Sequence, residues 1–311
     1  MEKIKVVFMG TPDFAVPILE GLIENYNVVG VVSQPDKRVG RKQELVNTPI
    51  KEVALKYNIP VFQPASIRNE YQEVLELGAD IIVTCAYGQI IPKVILDAPR
   101  LGCINVHGSL LPKLRGGAPI HWAIINGDTK TGISIMYMDE KMDSGDIISQ
   151  RETEILDSDN LESLYNRMSI IGRDLLLDTM PSIINGTNLR VKQDSSQVTF
   201  GFNIKRDEEH IDFSKTTREV FNLIRGLSPI PGANAILDGN EMKIYAAIIG
   251  EKKNVGIPGE IINIYKNGIV VSTGDGQIIL TDIKPFGKKR MPANSYLNGV
   301  DKNGLVGKVF E

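Results

Sequence analysis

Apolar residues fall along the first half of this chain in short continuous runs separated by stretches of helical period. Ile4 to Met9 is such a run, and Gly10-Thr11-Pro12-Asp13 turns it into a helix predicted over Phe14 to Glu24. A second β-rich run covers Val28 to Ser33, a helix lies around Ile50 to Tyr57, and strands follow at Ile81 to Cys85, Leu101 to His107 and Ile133 to Met138. Helices are predicted at His121 to Ile125 and from beyond Asp159 to about Ile184. Continuous apolar strands alternating with helices predict an α/β, Rossmann-like, mostly parallel sheet covered on both faces. On such a sheet ligands sit beyond the carboxyl ends of the strands.

The pattern changes after residue 186. From Asn185 to about Gly201 the chain is polar and has no sustained period, which reads as a linker over 187–203. Beyond it come short β-rich runs at Ala235 to Leu237, Lys243 to Ile249, Gly259 to Tyr265, Gly268 to Ser272 and Ile278 to Ile283, broken by turns. That spacing predicts a small C-terminal β-barrel, OB-like, over 204–311, behind a catalytic domain over 1–186.

Composition agrees with two cores. The chain has 311 residues, 42% of them apolar, enough for two domains. Cys85 and Cys103 make no CxxC spacing and suit a reducing compartment. The apolar start is too short for a signal peptide core and no run approaches the ~20 residues of a membrane span, so a cytoplasmic protein is expected. Net charge is −3, but residues 201–311 carry 15 Lys+Arg against 13 Asp+Glu. A polyanionic partner would lean on that half.

The densest polar constellation closes a predicted strand. Side chains alternate on a strand, so Asn105 and His107 project to one side and Val106 to the other. After the strand Ile133 to Met138 comes Asp139-Glu140-Lys141-Met142-Asp143-Ser144-Gly145-Asp146, a loop from which one carboxylate can orient His107 and favour its protonated form. The acidic loop lacks the ligand order of an EF-hand, and His107, His121 and His210 are not at zinc spacing, so no metal is expected. Gly10-Thr11-Pro12-Asp13 likewise lacks the glycine fingerprint of a dinucleotide site. An amide donor, a histidine and a carboxylate without an activated Ser or Cys fit attack by an external nucleophile on a carbonyl. Asn105 would donate to the developing oxyanion, His107 would handle charge or the proton, and Asp143 or a neighbour would fix the tautomer.

These residues carry a resemblance. Asn105, His107 and Asp143, with Ser109-Leu110-Leu111-Pro112 and Asp143-Ser144-Gly145-Asp146, resemble the signature of the folate-dependent formyltransferases. Supporting stretches are Gly10-Thr11-Pro12-Asp13-Phe14, Gln34-Pro35-Asp36, Ala86-Tyr87-Gly88-Gln89-Ile90-Ile91-Pro92 and Arg115-Gly116-Gly117-Ala118-Pro119-Ile120, and the similarity covers nearly the whole chain. The resemblance implies 10-formyltetrahydrofolate as donor, with Ser109, Leu110, Leu111 and Pro112 lining its site and Tyr87 and Ile90 shaping the apolar pterin pocket. It is strongest to the branch whose acceptor is the α-amine of initiator methionyl-tRNA. A purine-precursor ribonucleotide or a sugar nucleotide is the alternative acceptor. By the same resemblance the basic loop within 34–48 reaches the acceptor stem through Arg41 and Lys42, while Lys288, Lys289 and Arg290 support the tRNA body. A monomer is expected. Leu114 and Asn234 depart from the family, standing where aromatics are common.

Overall fold

The computed structural model describes residues 3–40, 42–253 and 255–311, which form two compact units. The first comprises Met1–Pro119, Lys130–Glu154 and Tyr165–Phe202, and the second comprises Ile120–Thr129, Ile155–Leu164 and Asn203–Glu311.

Unit 1 opens with β1 (Lys5–Gly10), α1 (Val16–Asn25) and β2 (Asn27–Val32). A short ribbon of β3 (Lys37–Val39) and β4 (Glu44–Val46) precedes α2 (Pro49–Lys56), where Thr48 accepts from the Lys51 amide at 3.2 Å and Pro49 presets the first turn. Then follow β5 (Val61–Phe62), α3 (Gln72–Glu76), β6 (Ile81–Cys85), α4 (Lys93–Leu96), β7 (Cys103–His107), α5 (Pro119–Ile125), β8 (Lys130–Tyr137), β9 (Ile147–Glu154) and α6 (Leu161–Ile184), of which α5 from Ile120 onward and the start of α6 up to Leu164 belong to unit 2.

Seven strands form one sheet in the order β5-β2-β1-β6-β7-β8-β9. The pairs β2–β5, β1–β2, β1–β6 and β6–β7 are parallel, and β7–β8 and β8–β9 are antiparallel. Every residue of β6 is buried, as its continuous apolar run requires of a strand covered on both faces. Strand order runs outward in both directions from β1, so the chain reverses its progression between β1 and β6. The crevice at such a reversal lies at Gly10 and Cys85, which are register partners.

Two features differ from the sequence expectation. β9 alternates half-buried and exposed positions, carrying Gln150, Arg151, Glu152 and Glu154 at the sheet edge, so it offers no apolar run to detect. The loop 34–48 contains the β3–β4 ribbon, whose exposed residues likewise leave no burial pattern.

Unit 2 contains α7 (Thr217–Gly226), β10 (Ala233–Leu237), β11 (Asn240–Ile249), β12 (Ile261–Tyr265), β13 (Gly268–Ser272), β14 (Gln277–Lys284), β15 (Met291–Pro292) and α8 (Ala293–Leu297). The strands form an antiparallel sheet in the order β10-β11-β14-β13-β12, with β15 on β14. The segment 308–311 closes it. The Lys308 carbonyl accepts from Ile261 and the Phe310 amide donates to Gly259 on the β12 side, both at 2.8 Å. On the other side Glu311 and Ile236 of β10 exchange hydrogen bonds of 2.8 and 2.9 Å. Both sheet edges are thereby satisfied, and the predicted barrel is present. Its interior is filled by Val220 and Ile224 of α7 with Ile244, Ile269, Val271, Ile278 and Leu280 from the strands.

Candidate active site

Strand β7 ends in the crevice of unit 1, and its last residues form the candidate site. Asn105 lies opposite Thr84 of β6 and Met136 of β8. The Thr84 hydroxyl, fully buried, donates to Asn105 Oδ1 at 2.8 Å. An amide whose oxygen is engaged has its two N–H bonds aimed the other way. The Asn105 amide nitrogen makes no hydrogen bond among the described residues, so it is a preset, unspent donor.

His107, two residues on, is 5% exposed. Its Nε2 stands 3.0 Å from the Leu114 carbonyl. A carbonyl only accepts, so Nε2 carries the proton and Nδ1 is the free position of the neutral ring. Nδ1 faces Asp143 Oδ1 at 3.8 Å, too long for a hydrogen bond. Among the acidic residues of this loop, Asp143 is the one that meets His107. Asp139 accepts from the Lys141 amide and the Ser144 hydroxyl, shaping the turn, and Asp146 pairs with Arg190 at 3.2 Å.

Asp143 is held from several sides. Its Oδ2 accepts from the Gly116 amide at 2.8 Å, and its backbone sits at φ 49°, in the left-handed region that costs a non-glycine residue energy. Gly145 must be glycine, because a Cβ there would stand 1.9 Å from the Tyr137 carbonyl oxygen. Gly116 must be as well: its φ is 118°, and a Cβ would approach the Gly201 carbonyl oxygen to 2.8 Å. The turn Asp143-Ser144-Gly145-Asp146 is thus packed against the end of β8 and the stretch Arg115-Gly116-Gly117 against Gly201, and the Gly116 amide on Asp143 Oδ2 joins the two.

The remaining residues picked from sequence are distributed as follows. Ser109 is buried and its hydroxyl donates to the Lys113 carbonyl at 2.6 Å, so it closes the 109–113 turn. The same turn is anchored on β8 and β9, through the Leu111 amide to Ser134 Oγ at 3.0 Å and through Gln150 to the Leu111 carbonyl at 2.9 Å. Leu111 is buried, Leu110 and Pro112 are half-buried. Tyr87 is buried beyond the end of β6, and its carbonyl accepts from Thr11 Oγ1 and Gln34 Nε2, both at 3.0 Å. Its hydroxyl has no hydrogen-bond partner among the described residues, and burial, with the negative charge of Glu70 added, pushes the phenol up to about 12. Ile90 is 68% exposed, unlike its neighbour Ile91.

Arg41 lies outside the described residues; Lys42 is exposed in the connection of the β3–β4 ribbon. In unit 2, Lys288, Lys289 and Arg290 are exposed. Arg290 is bound to Asp282 through Nε and Nη2 and lies over the Tyr245 ring at 4.3 Å, while Lys288 lies 5.5 Å from the centroid of Tyr296.

Sequence reasoning missed three contributors. Thr84 is the one hydroxyl in the run Ile81-Ile82-Val83-Thr84-Cys85, and a polar group inside an apolar strand was the available signal. Leu114 acts through its carbonyl, which no side-chain pattern reveals. The third is the polar stretch read as a linker, which is hydrogen-bonded into unit 1. Val191 and Ile147 exchange bonds of 2.8 and 2.9 Å, the Thr199 hydroxyl accepts from the Leu114 amide at 2.9 Å, and Gln193 reaches both site loops.

The family model described as Formyl transferase matches residues 2–180, and that described as Formyl transferase, C-terminal domain, matches residues 203–301. A methionyl-tRNA formyltransferase of Staphylococcus aureus (strain MW2) is 49% identical over 307 residues, 98% of either chain. Among solved structures, an N-formyltransferase from Helicobacter canadensis in complex with folinic acid and dTDP-3-aminofucose gives a TM-score of 0.68 at 22% identity, over 92% of this chain and 100% of that one. HypX from Aquifex aeolicus in complex with tetrahydrofolic acid gives 0.64 at 16% identity over 96% of this chain, which spans about half (47%) of HypX. At these identities the two structures establish the shared fold. With one family model matched over residues 2–180 and a relative at 49% identity along 98% of its length, this chain belongs to the formyl transferase family.

Proposed function

We propose that this protein transfers the formyl group of 10-formyltetrahydrofolate to the α-amine of methionine on initiator tRNA, as a cytoplasmic monomer. The observation that carries the reading is the pairing of an unspent amide donor on Asn105 with the Asp143–His107–Leu114 array at the end of one strand. The acceptor is supported by the name of the relative at 49% identity over 98% of the chain. The donor is supported by the folates in the structures of like fold.

The amine nitrogen attacks the formyl carbon, forming the new C–N bond and a tetrahedral oxyanion. The Asn105 amide donates to that oxygen, a contribution of about 2.7–4 kcal/mol by analogy with other oxyanion donors. His107 takes the proton lost by the amine on Nδ1. The imidazolium is then held between the Asp143 carboxylate and the Leu114 carbonyl. Collapse of the intermediate breaks the bond to N10 of the folate, which receives the proton and leaves as tetrahydrofolate. Ser109 to Pro112 and the Tyr87 to Ile90 stretch form the folate pocket in this reading. Arg41, Lys42, Lys288, Lys289 and Arg290 face the tRNA.

The test supplies 10-formyltetrahydrofolate and methionyl initiator tRNA to wild type and to Asn105→Ala, His107→Ala and Asp143→Ala. Each variant is expected to lose at least about 100-fold in kcat, the scale of a lost oxyanion donor or general base, while remaining folded by circular dichroism. Equal rates for wild type and His107→Ala would sink the chemistry. Transfer to an amino-sugar nucleotide but not to charged tRNA would sink the acceptor.

A further inference from the structure

Gln193 belongs to the polar stretch that follows α6, far in sequence from Asn105, His107 and Asp143. The two-way backbone pairing of Val191 with Ile147 lays that stretch against the end of the Asp143 loop. Its side-chain amide then uses every hydrogen-bonding position it has. Nε2 donates to the carbonyls of Asp143 and Gly145, both at 2.9 Å, and Oε1 accepts from Arg115 Nε at 3.0 Å and Nη2 at 2.7 Å. Two carbonyls on one side and a guanidinium on the other leave the amide a single orientation.

Those contacts join the two loops that hold the imidazole. Asp143 faces His107 Nδ1, and Arg115 directly follows Leu114, whose carbonyl receives Nε2. Asp143 also occupies a left-handed backbone conformation, which persists where the surroundings over-determine it. We propose that Gln193 is a positioning residue for formyl transfer: by clamping the Asp143 turn to the Arg115 loop it sets the gap in which His107 is held and takes up a proton. This inference rests on the functional reading above for its kinetic consequence and on the structure for its geometric one.

Two variants separate the sides of the clamp. Gln193→Glu keeps length and the Arg115 contact but turns a carboxylate oxygen onto two carbonyl oxygens. Gln193→Met keeps length and removes both sides. With 10-formyltetrahydrofolate and methionyl initiator tRNA, each is expected to lower kcat about 10- to 100-fold, the cost of a misplaced catalytic group, with KM for either substrate within about threefold of wild type. In the free protein, the His107 ring N–H resonance is expected to shift or broaden in both variants. It can be assigned by substitution, because the chain has 3 histidines. A kcat within about threefold of wild type, a loss carried by KM alone, or an unmoved ring resonance would each overturn the proposal. Were wild type to formylate no charged tRNA, the functional reading would fall and the ring resonance alone would decide the role of Gln193.

Discussion

In the proposed reaction Thr84 is a single hydroxyl that aims a reacting group. Its bond to Asn105 Oδ1, 2.8 Å long, chooses which end of the amide faces the crevice. Replacement by valine keeps the volume and β-branching that suit a buried strand but frees the amide to rotate. The net value of such a hydrogen bond is about 0.5–1.5 kcal/mol, so Thr84→Val is expected to lower kcat about 3- to 10-fold with both KM values held, measured by steady-state formylation. An unchanged kcat would mean that Asn105 is oriented by other contacts. At this scale the sequence exposes the side chains proposed to do chemistry and hides those placed to aim them. Asn105 and His107 were legible because alternation on one strand forces them to the same face. Asp143 was legible as one of several acids in a loop. What singled it out, the Gly116 amide on its Oδ2 and the clamp by Gln193, depends on residues 27 and 50 positions away.

Elements were legible where burial is continuous and obscure where it is one-sided. β1 after Lys5 and β6 apart from Thr84 carry no polar side chain because both sheet faces are covered, whereas β9 shows water its charged residues and was not anticipated. α7 was also overlooked, although its start is a capping box: the Thr216 hydroxyl caps the Glu219 amide, and Glu219 in return accepts from the Thr216 hydroxyl at 2.6 Å and amide at 2.9 Å. Asp275 adds a second carboxylate at this end, accepting from the Thr217 amide at 2.7 Å and hydroxyl at 2.9 Å. The Thr216 hydroxyl and then its amide lower Glu219, and the Thr217 amide and then its hydroxyl lower Asp275, below the usual carboxylate range. A carboxylate lowered by folding stabilises the fold fully above its unfolded value, about 4, and that contribution is lost as pH falls through the lowered folded value. The unfolding temperature of unit 2, which contains α7, is therefore expected to drop as pH falls below about 4. Glu219→Gln should lower it at pH 7 and make the fall shallower, followed by circular dichroism. A fall of the same depth in the variant would assign the acid sensitivity elsewhere.

For the whole molecule the question is how a chain of net charge −3 engages a polyanion. Long-range attraction is set by where charges stand uncompensated more than by their sum. The basic residues chosen from sequence are unequal in this respect. Arg290 is matched by Asp282 through two nitrogens and laid over Tyr245, so most of its charge is already answered within unit 2. Lys42 and Lys289 are exposed and have no ion-pair partner among the described residues. A lysine that neutralises a phosphate releases a condensed counterion, which makes the logarithm of affinity fall linearly with the logarithm of salt. Each lost contact flattens that line by about 0.7–0.9. Lys42→Ala and Lys289→Ala are accordingly expected to weaken tRNA binding and flatten its salt dependence by about that amount each, measured by filter binding from 50 to 300 mM salt. Arg290→Ala should leave the slope alone, because removing a paired guanidinium returns Asp282 to solvent without uncovering a phosphate. A flattened slope in Arg290→Ala with none in Lys289→Ala would place the tRNA on the stacked arginine, and would show that the Asp282 pairing opens when the acceptor binds.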